Sequence, residues 1–295
     1  MFDRTIDMDP RPAAPPSRTM HRMRNGHRRE YAAERERGSI SFRERCGRAL
    51  ADIGIYGTVS FRDLAKTRFG GHPYTTRRAV NAWIRDGLVT ESTARGPKGN
   101  PFKVLTVTER GAATARRLAA ERGLDPGQHI GPARTRRSEA AHDTAIYRAC
   151  ATEHRRLLEA GATVRRIRLD AELKGAVARR SEAARAKNGK RAADAERHRA
   201  ATELGLPIDA RGRVLYPDAQ IEYVDAAGRT GRVNIEVASG NYRGRSIRAK
   251  AAAGFAVHAN GPAAARLLRR LGLGDDDDRS TLRGPAEHDP ATIEL

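Results

Sequence analysis

Cysteine is nearly absent from this chain: two in 295 residues, Cys46 and Cys150, far apart. No CxxC pair is present, so neither a disulfide framework nor a cysteine zinc site is expected, and both thiols read as small buried apolar residues on helices. Long apolar runs are also missing. No stretch is long enough to span a bilayer, and the Pro- and Arg-rich start has no apolar segment of the kind a secretory signal needs, so a cytoplasmic protein with no membrane partner is expected. Large apolar side chains fail over whole regions. Residues 1–38 have too few to offset the entropy of ordering and read as a disordered basic arm. Between Val177 and Leu204 there is none, so the charged stretch near 172–205 reads as an exposed helical or disordered insertion.

Positive charge is in excess. Fifty-six Lys and Arg face 36 Asp and Glu, a net charge of +20. A chain this basic binds polyanions through counterion release, and nucleic acid is the first candidate. An RNA or an anionic membrane surface bound by charge alone is the duller alternative.

The stretch Tyr74–Gly87, YTTRRAVNAWIRDG, reads as a short amphipathic helix. Val80, Trp83, Ile84 and Leu88 recur at helical spacing as its apolar stripe. Thr75 or Thr76 can cap its first turn, and Gly87 stands where a left-handed C′ residue is wanted. Arg77, Arg78, Asn81 and Arg85 are left for the outer face. These residue types suit a major groove, since Arg pairs bidentately with guanine and Asn with adenine.

Upstream, Ser41–Ile53 carries a helical stripe, Tyr56–Val59 is a short extended link, and Ser60 with Asp63 resembles a capping box opening a second helix. Downstream, Leu88–Ser92 and Phe102–Val107 read as paired strands around the basic tip TARGPKGNP. Thr108 then caps a helix running to Arg122. Helix, helix, turn, helix and a hairpin with a basic tip is the element order of a winged helix-turn-helix, and the GLVT and TERG steps resemble winged-helix regulators. The resemblance implies a DNA-binding domain over residues 39–122. Its third helix would enter the major groove, with Thr75, Thr76, Arg77, Arg78, Asn81 and Arg85 toward double-stranded DNA and Arg95 and Lys98 on the wing touching phosphate or minor groove.

A Gly- and Pro-bearing linker is expected over 123–137 and a second domain over 138–273. There a long helix, a strand and the insertion lead to a strand that runs from before Pro217 to Val224. A hairpin turn, the strand Arg232–Val237, a helix with Lys250, a short strand and a last helix follow. Residues 274–295, with the run Asp275–Asp278, read as an acidic tail. Pro217-Asp218 followed by Glu236 on the next apolar strand resembles the PD-(D/E)xK nuclease pattern. By that resemblance Asp218 and Glu236 are metal ligands for Mg²⁺, which suits oxygen donors and activates bound water. The lysine usual two residues after the acid is Ala238 here, and Lys250 on the following helix is the candidate to replace it. The pairing of a winged helix with such a domain is similar to the replication-relaxation family of plasmid and mobile-element proteins, with His142, Pro217, Asp218, Glu236 and Lys250 at the matching positions.

The fold class expected is therefore α+β: an N-terminal winged helix-turn-helix, then an α/β restriction-endonuclease-like domain, with flexible tails. The function expected is DNA binding in plasmid or mobile-element replication, mobilisation or transcription control, with replication or mobilisation proteins as further partners. The alternative is a Mg²⁺-dependent DNA endonuclease using Asp218, Glu236 and Lys250.

Overall fold

Why α1, Phe42–Tyr56, forms the first pillar of the structure is visible in its stripe: Ala49, Leu50 and Ile53 are buried at helical spacing. The structure is a computed structural model that describes residues 41–96, 99–121, 125–132, 138–240 and 242–273. It is mixed α+β, and the described residues from Phe42 onward form one compact unit. The expected arm at 1–38 and tail at 274–295 lie outside the described residues.

After α1 comes β1, Val59–Ser60, then α2, Phe61–Arg68, and α3, Pro73–Arg85. Ser60 is the N-cap of α2: its hydroxyl accepts from the Asp63 N–H at 3.0 Å and donates to Asp63 Oδ2 at 2.6 Å, satisfying a backbone donor at the helix start. Tyr56–Val59 was expected only as a link. Instead Val59 and Ser60 pair with Leu105 and Val104, adding a third strand to the hairpin of β2, Val89–Arg95, and β3, Pro101–Val107. The sheet order is β1-β3-β2, antiparallel throughout. Thr108 caps α4, Glu109–Ala120. Its hydroxyl also donates to the Gly87 carbonyl at 2.6 Å, tying the end of α3 to the start of α4. Gly111 is required there, because a Cβ on it would lie 1.9 Å from the Leu88 carbonyl oxygen.

The expected linker is in part packed structure. Gln128 is buried and bonds both the Ile167 N–H (2.8 Å) and the Ile167 carbonyl (2.9 Å), serving as a backbone surrogate on the free edge of the second sheet. Ile130 is buried beside Gly54 of α1. Next come α5, Ala140–Glu159, and β4, Thr163–Leu169, then the α6 segment, Asp170–Glu203. Gly189 breaks α6 with φ 76°, a conformation open to glycine, and the chain folds back on itself. Arg180 reaches both Glu196 and Glu203 across the fold, and Ser181 Oγ donates to the Ala193 carbonyl at 3.0 Å. The insertion is thus a helical hairpin.

The remaining elements are β5, Ala219–Val224; β6, Thr230–Ala238; α7, Gly244–Ala252; β7, Ala256–Ala259; and α8, Pro262–Arg270. The strand expected to begin before Pro217 starts only at Ala219, since proline lacks the N–H a ladder needs; Val214 instead forms an isolated bridge with Ile208. The second sheet runs β4-β5-β6-β7, antiparallel except for the parallel β6–β7 pair. One buried cluster extends from Leu50, Leu64 and Val107 through Tyr147 of α5 to Ile221 and Ile235. Polar groups stitch the same seam: Arg68 holds Asp52 through Nε (2.6 Å) and Nη2 (2.8 Å), and the Tyr147 hydroxyl donates to Asp52 Oδ2 at 2.8 Å. Arg148 of α5 bonds Asp63 of α2 at 2.8 Å. The two sheets therefore share one packed interior.

Candidate functional site

Two surfaces matter, and the first is α3. Its buried stripe is Thr76, Ala79, Val80 and Trp83. Tyr74, Arg78, Asn81 and Arg85, spaced four, three and four residues apart, therefore share the opposite face, and all four are exposed. Tyr74 is 83 % exposed, a flat aromatic at the helix start that belongs with this face and that its position in the sequence motif did not mark. Gly87, at φ 68°, closes the helix: the Leu88 N–H reaches the Trp83 carbonyl and the Gly87 N–H the Ile84 carbonyl, the paired bonds of a Schellman stop.

Three expectations on this helix are corrected. Thr76 is fully buried, its hydroxyl donating to the His72 carbonyl at 2.8 Å, so it faces the interior and not DNA. Neither threonine caps the helix. His72 is the N-cap with no side-chain capping bond, and Pro73 takes the first position, where its missing N–H costs nothing. Ile84 is exposed and not part of the buried stripe. Arg77 is only half free, because Nη1 pairs with Glu91 Oε2 at 2.5 Å and the guanidinium lies 4.2 Å above the Phe61 ring centroid. That bracing fixes α3 against β2. Thr75 is half-buried, while Arg95 is exposed at the hairpin end, its Nη1 3.3 Å from the Gly99 carbonyl. Lys98 lies outside the described residues.

The second surface is a carboxylate cluster on the β5–β6 edge. Ala219 pairs with Ile235, and continuing that register by one residue sets Asp218 opposite Glu236. Directly opposed like charges are unfavourable, and the surroundings answer each of them. Asp218 is held by the backbone: its N–H donates to the Ile235 carbonyl (2.9 Å), its carbonyl accepts from the Asp170 N–H (3.1 Å), and Oδ2 accepts from the Val237 N–H at 2.7 Å. Its other oxygen lies 3.4 Å from His142 Nε2 on α5. That carboxylate raises the imidazole pKa, against the opposing effect of burial.

Glu236 has no exposed surface. Lys250 of α7 donates to Oε2 at 2.6 Å and to the Tyr216 carbonyl at 2.8 Å, and the Tyr242 hydroxyl donates to Oε1. Burial is the first cause that raises the Glu236 pKa and Asp218 the second; Lys250 and Tyr242 oppose them. Burial, then Glu236, pushes the Tyr242 phenol up in turn, so it stays a hydrogen-bond donor. Asp218, Glu236, Lys250 and His142, scattered over more than a hundred residues, thus meet in one place. Tyr242 and Asp170, whose buried Oδ1 has no hydrogen-bond partner among the described residues, join them unforeseen.

The oxygen-only donors suit Mg²⁺ in kind. Both Glu236 oxygens are already bonded, however, and among the described residues no group of three His, Cys, Asp or Glu is placed to hold an ion. Mg²⁺ commonly binds through one or two carboxylates with substrate phosphates completing its shell. The residues therefore fit an ion that arrives with its substrate and not one caged by protein alone. Of the cysteines expected to be buried, Cys150 is, its thiol pushed up to about 12, whereas Cys46 is only partly buried and its thiol is pushed to about 11; burial is the main cause in each. No described helix is long and apolar enough to cross a membrane. Compared with protein-family models, curated proteins and solved structures, the chain matched none.

Proposed function

We propose that this is a sequence-selective double-stranded DNA-binding protein. Its first half acts as a winged helix-turn-helix and its second as a PD-(D/E)xK-like platform, in the replication, mobilisation or transcription control of a plasmid or mobile element. The observation that carries the reading is the α3 face: Tyr74, Arg78, Asn81 and Arg85 exposed in one row, with Arg77 bracing the helix from the side. Exposed Arg and Asn on a rigid helix can reach base edges, Arg95 at the hairpin end can reach phosphate, and phosphate contacts set position while base contacts set preference. The expected result is that Arg78→Ala and Asn81→Ala each cost about 1–3 kcal/mol on a selected site and much less on random duplex. Lys98→Ala should weaken both alike. Absence of duplex binding at about 50 mM salt, where phosphate contacts are strongest, would sink the proposal.

A second reading, Mg²⁺-dependent DNA cleavage, is favoured by one observation: Lys250 reaches Glu236 from α7, where it could serve for the motif lysine that Ala238 replaces. Asp218 and Glu236 would hold the ion, which when bound supplies Lewis acidity and an activated water. Lys250 would offset charge at Glu236, and Tyr242 would orient that carboxylate. Nicking of supercoiled plasmid with Mg²⁺ or Mn²⁺, lost in Asp218→Ala, is the expected result. An intact plasmid under both metals removes this reading and leaves binding.

A further inference from the structure

Beyond Asp170, the helical hairpin of α6 has no part in either surface so far described, yet it is built to project. Its root is anchored by Leu173, Val177, Ala200, Ala201 and Leu206, all buried. Above the root the two limbs touch through small residues, Ser181 and Ala193, and Arg180 clamps Glu196 and Glu203 of the opposite limb. From Val177 to Asn188 the first limb rises roughly 16 Å at 1.5 Å per residue. At its end Arg185, Lys187, Lys190 and Arg191 are exposed around the Asn188–Gly189 turn. None of the four forms an ion pair or hydrogen bond among the described residues, in contrast to Arg180, Arg197 and Arg199 lower on the limbs, each paired with an acid.

We infer that this tip is a phosphate-gripping arm, a second contact to the nucleic-acid backbone separate from α3; the inference rests on the DNA-binding reading. Four unpaired cations on a braced support are preorganised for an anionic backbone. The limbs carry no large apolar side chain from Ala178 to Glu203, so the arm offers neither the aromatic or aliphatic anchor of a protein hot spot nor the apolar face that inserts into a membrane interface. The root begins at Asp170, whose N–H bonds the Asp218 carbonyl.

The test is the salt dependence of binding by the full chain carrying Arg185→Ala, Lys187→Ala, Lys190→Ala and Arg191→Ala, read by fluorescence anisotropy on random and selected duplexes. Each lost phosphate contact lowers the slope of log K against log salt by about 0.9. A slope shallower by about 2–4, with the ratio of selected to random affinity unchanged, is expected. A control replacing exposed Arg266, Arg269 and Arg270 of α8 should keep the original slope. If the tip variant keeps the wild-type slope, or the control loses as much per charge, the arm is refuted while DNA binding stands. If the wild type binds no duplex, the underlying reading fails and the arm with it.

Discussion

Removing Lys250 is the sharpest probe of the second half of the molecule. Its side chain is 15 % exposed, and its ammonium lies 2.6 Å from a carboxylate with no exposure at all. Breaking one partner of a buried pair costs about 3–5 kcal/mol, because the other charge is left without its counterion. Lys250→Met keeps an unbranched apolar stem and removes the ammonium, which also lies 5.6 Å from the Phe255 ring centroid. At pH 8 the variant should unfold with a free energy lower by about 3 kcal/mol or more, measured by urea titration followed by far-UV circular dichroism. The deficit has a pH signature. Lys250 is one of the two groups that hold the Glu236 pKa down; without it, that pKa rises further above its unfolded value. The folded variant then binds a proton that the unfolded chain has released. Its stability relative to wild type accordingly recovers as pH falls from 8 toward 5. Glu236→Gln in the Lys250→Met background should return most of the loss, giving a coupling energy of several kcal/mol. A single variant within about 1 kcal/mol of wild type, or a deficit that stays flat from pH 8 to 5, would show that the two charges do not depend on each other as their geometry implies.

Two further predictions concern the rest of the fold. Burial, reinforced by Arg68, lowers the His154 pKa to about 4; a depressed histidine contributes stability that is present above about pH 6.5 and lost as pH falls toward 4, up to about 3 kcal/mol in all. His154→Gln should flatten that part of the stability–pH curve, and an unchanged curve would refute the assignment. Gly111→Ala should destabilise by about 3 kcal/mol, because its methyl would strike the Leu88 backbone, which cannot yield as a side chain can; a thermal midpoint equal to wild type would contradict the close approach.

Features set by local chemistry were legible in the sequence. Ser60 and Thr108 cap helices because a hydroxyl three residues ahead of a free N–H has one good use there, and Gly87 ends α3 because it alone in that stretch takes positive φ without cost. Features set by packing were not. Thr76 and Ile84 exchange the faces expected of them because the helix phase is fixed by what α3 packs against, and a hydroxyl that returns its bond to the preceding turn can be buried. β1 is two residues long, too short for any period to reveal. The α6 hairpin carried a usable signal, Asn188-Gly189 between two Ala-rich limbs, but small residues at its seam leave no apolar stripe to read.

The carboxylate cluster shows the same division at the level of function. Asp218 and Glu236 were accessible because Pro217-Asp218 followed by Glu on the next strand resembles a known motif, and the antiparallel register, Ala219 against Ile235, then sets the two acids opposite each other. Lys250 stands 14 residues beyond Glu236 and Tyr242 sits before α7, so no spacing rule could set either against a given oxygen. Only the parallel return of β7 beside β6 brings α7 back over the carboxylates. A cation can therefore be set against a strand carboxylate from a helix, provided the crossover places that helix on the same face. Ala238 lies two residues beyond Glu236 on β6, hence on the same face of the strand, and is buried with Ile247, Ala264 and Leu268, so the charge beside Glu236 comes from α7 and not from the strand.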